Sequence, residues 1–149
     1  MTTDDTTETE SKTMEMPEVV EPVLDLHLRL LVKMLNDDET NRSHFGISLN
    51  IPGGVIYGHA ISHDAYLDDW EAGVREADGT GVEFMATLPR KLSEFLDEEM
   101  KDVAQDPLPR MIHLRNATFL TGAPIQTMEY RLWRGRIADV AGWSLSMPS

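Results

Sequence analysis

The stretch from Phe45 to Ser62 constrains this chain most. Ile47, Leu49 and Ile51 alternate with Ser48 and Asn50, Pro52-Gly53-Gly54 breaks the alternation, and a second apolar run follows through Val55, Ile56, Tyr57, Ala60 and Ile61. A period of two is the pattern of a half-buried strand, because successive side chains leave a strand on opposite faces. Two such runs joined by residues that favour tight turns predict a β-hairpin. Gly58, inside the second run, predicts a bend or bulge there. The hairpin carries no chemistry of its own, and it commits the chain to an antiparallel sheet.

The 149 residues suit one domain, long enough to bury about two-thirds of the unfolded surface without covalent staples. The sequence has no cysteine, which excludes disulfides, thiolate catalysis and cysteine-ligated zinc. No apolar run approaches the roughly 20 residues of a membrane-spanning helix, and the first residues are polar and acidic where a secretory signal would be basic and then apolar. A cytoplasmic protein without membrane association is expected.

Charge is unevenly placed. The formal net charge is −13, but residues 1–106 carry 24 acids against 8 bases, whereas residues 107–149 carry 2 acids against 5 arginines. The two parts attract each other, within the fold or between copies. An acidic chain is a poor partner for nucleic acid, whose phosphates reward cations, so nucleic-acid binding is an unlikely role.

Residues 1–18, rich in Thr, Asp and Glu, predict a disordered acidic tail ahead of one globular unit over 19–149. Leu24, Leu28, Leu31 and Leu35 recur at helical spacing between Glu21 and Asn36, with Pro22 in the first turn. A helical insertion is expected over about 62–106. Ser62 caps a first helix bearing Tyr66, Trp70 and Val74 on one face, and a second begins near Leu88-Pro89 with a stripe of Leu92, Phe95, Leu96, Met100 and Val103 and an acidic outer face. Glu94, Asp97, Glu98, Glu99 and Asp102 read as that solvated face, with no catalytic role. Strand character returns over Met111–Leu120, with Ile112, Leu114 and Asn116 on one side and Met111, His113 and Arg115 on the other. Gly122-Ala123-Pro124 is a turn, Tyr130–Arg134 a strand bent at Gly135, and Trp143 and Leu145 mark a last strand.

Candidate chemistry is sparse. His59 and His63, with His113 as a third ligand, could hold a metal only if a strand end and a helix start turned together, so no metal and no cofactor is assigned. Pro52-Gly53-Gly54 joins two strands and lacks the following Lys-Ser or Lys-Thr of a phosphate loop, and no serine has the flanking glycines of a nucleophile elbow. The most pointed segment is Leu132-Trp133-Arg134-Gly135-Arg136-Ile137. Trp and Arg are the residues most often found at binding hot spots, while the same residues can serve as core and as partners for the acidic helices.

These pieces resemble the accessory protein U family of bacterial gas-vesicle gene clusters. The likeness rests on Leu49-Asn50, Gly54, Ile56, Gly58, Ile61-Ser62, Tyr66, Ile112-His113-Leu114, Asn116 and, above all, Trp133-Arg134-Gly135-Arg136-Ile137 with Val140 and Gly142. It implies a small non-enzymatic protein that acts on gas vesicles, with the vesicle shell or other gas-vesicle proteins as partners. The expectation is therefore an α+β fold: an N-terminal helix, a bent antiparallel sheet of about five strands approaching a small Sm- or SH3-like barrel, and a two-helix insertion. Arg115, Trp133, Arg134 and Arg136 are the candidate contacts of a self-associating, vesicle-binding protein. The alternative is an Sm-like RNA-binding module, by analogy of the Arg-Gly strand alone.

Overall fold

A computed structural model describes residues 25–103 and 106–146. The acidic tail and the expected first turn around Pro22 and Leu24 lie outside the described residues. Within them the elements run α1 (Leu26–Asn36), β1 (Phe45–Ile51), β2 (Gly54–Ile61), α2 (His63–Arg75), α3 (Val82–Glu99), β3 (Met111–Thr121), β4 (Gln126–Arg136), a 3-10 turn (Ile137–Asp139) and β5 (Gly142–Ser144). The five strands form one antiparallel sheet in the order β4-β3-β2-β1-β5, an open ladder with β4 and β5 at its edges.

The hairpin is as the alternation requires. Ile51 faces Gly54 across a two-residue turn, with Gly53 at φ +94°, the conformation that Pro-Gly supplies in a type II turn. Ile47, Leu49, Ile56 and Ala60 are fully buried on one face. With Ile112, Leu114 and Ala117 they form a core sealed by Leu28, Val32 and Leu35 of α1. Gly58 stands opposite a bulge: Tyr57 pairs with Thr118 and His59 with Arg115, so Asn116 and Ala117 together oppose one glycine. A Cβ on Gly58 would lie 3.0 Å from both the Ala117 Cα and the Arg115 carbonyl oxygen, so the strands can meet this closely only at glycine. Asn116, with φ +52°, is the extra residue. The bulge shifts the alternation by one, so Ala117, not Asn116, joins Ile112 and Leu114 in the core.

The caps follow from side-chain chemistry. Asp25 accepts from the Leu28 amide at 3.0 Å and from Trp143 Nε1 at 2.6 Å, tying the start of α1 to the last strand. These donors hold its carboxyl below the usual range, Trp143 most strongly. Ser62 accepts from the Ala65 amide at 3.0 Å, as an N-cap should. On the inner side of α1, Arg29 is buried. Its Nε donates to the Pro109 carbonyl and an Nη to the Leu108 carbonyl, both at 3.0 Å, and the same Nη pairs with Asp106, so the loop before β3 is held by one guanidinium.

α3 differs from its expected form. It starts at Val82, seven residues before Pro89, which lies inside the helix. A proline there removes the amide that would bond the carbonyl four residues back. That carbonyl, of Met85, accepts from Trp70 Nε1 at 2.9 Å, so α2 supplies the missing donor.

Candidate interaction surface

α2 lies on the sheet face opposite α1, and carboxylates along it meet the C-terminal arginines. Arg115 Nε donates to Asp69 at 2.5 Å, and Arg131 reaches Glu76 with Nη1 and Nη2 at 3.0 and 3.3 Å. Toward α3, Arg90 bridges Asp68 at 2.8 Å and Glu71 at 2.7 Å, and Arg75 reaches Glu83 at 3.0 Å. Arg131 and Arg75 each present a planar fork to one carboxylate, which fixes orientation as well as distance. The uneven charge of the sequence thus pins the helical insertion to the strands.

Beneath this clamp sits a histidine pair. His113, on β3 and 3% exposed, lies 4.6 Å from the Tyr66 ring and has Nε2 3.4 Å from His63 Nδ1. His63 Nε2 is in turn 3.3 Å from Ser93 Oγ. Burial, then the neighbouring His63 and Arg134 charges, push His113 down to about 3. His63 is lowered by the same burial and by Arg134, against Asp64 and Asp97, which favour its charged form. Both rings are therefore neutral near pH 7. Ser93 is in the middle of a helix, where amides are already bonded to carbonyls four residues back, so the Ser93–His63 contact has no backbone oxyanion pocket beside it. The His59 ring lies 5.3 Å from that of His44, and no group of three side chains that could hold a metal ion occurs among the described residues.

The four candidate contacts part company on the sheet. Trp133 pairs with Leu114 and packs on the core. Its indole lies over Gly135, where a Cβ would stand 2.1 Å from Cη2, and β4 continues through Gly135 to Arg136. Arg115 is engaged by Asp69, and Arg136 forks onto Asp139 at 2.9 Å. Arg134 is exposed and forms no ion pair among the described residues. It borders a cleft of about 280 Å³ that is also lined by His63, Asp64, Arg90, Ser93, Glu94 and Asp97.

The apolar stripe of α3, legible as a face in the helical spacing, is exposed. Leu92, Phe95 and Leu96 are 53–60% exposed, and Phe84, Met85, Met100 and Val103 are exposed with them. The helix turns Ala86 inward and presents the stripe to solvent, which corrects the expectation that its acidic side alone faces outward. Helical spacing announces that a face exists; only the clamp on α2 decides which way it looks. Contiguous exposed apolar residues of this kind, edged by charge, mark interaction surfaces. No helix among the described residues is long and apolar enough to cross a membrane.

A family model described as gas vesicle protein GvpU-like matches residues 25–147. No curated protein and no solved structure matches the chain. The match spans α1 through β5, including the hairpin, the clamp and the Trp133–Ile137 segment, and the chain belongs to the GvpU-like family of gas vesicle proteins.

Proposed function

We propose that this protein is a non-enzymatic gas-vesicle accessory protein that self-associates and binds or clusters gas vesicles from the cytoplasm. Family membership supplies the vesicle connection. The observation that carries the binding reading is the outward stripe of α3, from Phe84 through Leu92, Phe95 and Leu96. An ordinary monomer would bury such a face, and here it is held open by ion pairs on the opposite side of the insertion. Arg134 adds an uncommitted cation near the same end of the molecule. The partner is a gas-vesicle shell or another gas-vesicle protein offering apolar contacts with charges of both signs. The RNA-binding alternative gains nothing here, since Arg115, Arg131 and Arg136 are already held by Asp69, Glu76 and Asp139.

Flotation tests this reading. Purified protein mixed with purified vesicles should rise with them, raised salt should weaken the association, and Arg134→Glu should reduce it. Protein that stays in solution with vesicles at every ionic strength overturns vesicle binding. Binding indifferent to both salt and Arg134→Glu removes its electrostatic part.

A further inference from the structure

We propose that two copies of this chain join through the free edge of β4, strand against strand across a twofold axis centred on Tyr130. This rests on the self-association reading above and names its surface.

The two edges of the sheet are unlike. β5 has three residues, whereas β4 has eleven. Among the described strands β4 pairs with β3 alone, in a register without shifts. It contains neither proline nor lysine. Shortness, bulges, prolines and charged side chains, lysine above all, are the usual means by which an edge is kept from pairing. β4 has none of the first three and no lysine, and its charges, Glu129 with Arg131, Arg134 and Arg136, are of both signs. Gln126 through Arg131 are exposed without interruption. Ile125, Met128 and Tyr130, at 72%, 46% and 38% exposure, place apolar surface along that edge.

The occupant follows from symmetry and charge. In an antiparallel pair of identical strands related by a twofold axis normal to the sheet, some residue must face its own copy, because facing side chains share a side of the sheet. Centring on Glu129 opposes two glutamates, and centring on Arg131 opposes two arginines. Centring on Tyr130 sets Glu129 against the partner's Arg131 twice, Met128 against Leu132, and ring beside ring at the axis. Glu129 forms no ion pair among the described residues. Arg131 bonds Glu76 through Nη1 and Nη2 in an exposed pair, so the partner's Glu129 would bring a second carboxylate to a guanidinium that solvent already reaches. A second copy of β4 therefore fits this edge and selects its own register. The product is a continuous ten-stranded sheet with two α3 stripes, one from each copy, and so a bivalent particle.

Sedimentation of the full chain and a charge exchange test this. Wild type should be a dimer. Glu129→Arg should weaken dimerisation about tenfold or more, since it sets arginine against arginine at two places, and adding Arg131→Glu should restore it. Circular dichroism checks that each variant is folded. In a chain without cysteine, Tyr130→Cys should cross-link to its own copy under mild oxidation, because directly opposed residues bring Cβ atoms to about 4.5–5.5 Å, close to what a disulfide needs. Glu98→Cys on α3 should stay monomeric on the same gel. Self-association that ignores both charge variants, or cross-linking at residue 98 and not at 130, overturns the β4 interface and leaves the self-association reading standing. A wild-type chain that sediments as a monomer at every concentration overturns both.

Discussion

The indole nitrogen of Trp70 donates at 2.9 Å to the carbonyl of Met85, the one α3 carbonyl that Pro89 deprives of its helical partner. Two helices are thus joined by a hydrogen bond that exists because one contains a proline. Trp70→Phe should cost about 0.5–1.5 kcal/mol, the net worth of an ordinary hydrogen bond whose acceptor solvent can reach. Pro89→Ala restores an amide at position 89 and should rescue much of that loss in the double variant, while the two substitutions made singly should not add. Urea titrations of the four proteins give the coupling, and a coupling near zero would show that Met85 is satisfied by solvent.

The His63–His113 pair makes stability depend on pH in a definite direction. Both rings are held below the ordinary 6.5, so the unfolded chain binds protons there before the folded chain does. Stability is full above that value and falls as pH drops below it; His113 loses about 1.4 kcal/mol per pH unit down to about 3, and His63 adds loss of the same sign. Asp25, Glu76 and Asp106 are also lowered, Asp25 mainly by Trp143, Glu76 by Arg131 and Asp106 by the Leu108 amide. They add loss of the same sign only near and below their ordinary 3.8–4.5. Between pH 4.5 and 6.5 the histidines act nearly alone. His113→Gln should remove about one proton of slope there, read from urea midpoints at pH 7 and pH 5; an unchanged slope would mean that His113 is charged in the folded protein.

What could be read from the sequence divides along physical lines. The hairpin, the Ser62 cap, the Leu28–Leu35 core face and the order of strands are written in local periodicity and turn chemistry, where a few neighbouring residues decide. Pro89 misled because a proline usually opens a helix, and its compensating donor lies nineteen residues upstream at Trp70. Asn116 misled because a bulge opposite Gly58 changes the parity of β3, which no strand pattern in isolation reveals. The arginines were legible as a cluster but not as individuals. Arg115 and Arg131 find carboxylates where α2 comes to rest, Arg136 finds Asp139 in the turn that follows β4, and Arg134 finds none among the described residues.

Trp133 and Gly135 form a second coupled pair. With the indole covering Gly135, Gly135→Ala must push a large aromatic ring off its seat on the core, at a cost of about 1–3 kcal/mol by analogy with overpacked sites. Trp133→Leu frees that space, so alanine at 135 should be much less harmful in its background. Thermal melts of the two single variants and the double would separate this crowding from a simple loss of glycine flexibility. If alanine costs the same with leucine at 133, the backbone and not the indole sets the requirement.

The apolar stripe of α3 predicts a separation between stability and function. Leu92 and Phe95 are more than half exposed, so Leu92→Gln with Phe95→Gln removes little buried area, and both lie on a helix where glutamine is a good former. The melting temperature should move by no more than about 2 °C, as for surface changes away from packed sites. Co-flotation with vesicles should nevertheless be lost, because the apolar contact is the part of the surface that salt does not screen. Glutamine in place of glutamate keeps the charge fixed, so the result reports on apolar contact alone. A double glutamine variant that melts as wild type and still floats would move the binding surface away from α3 and toward Arg134 and its cleft.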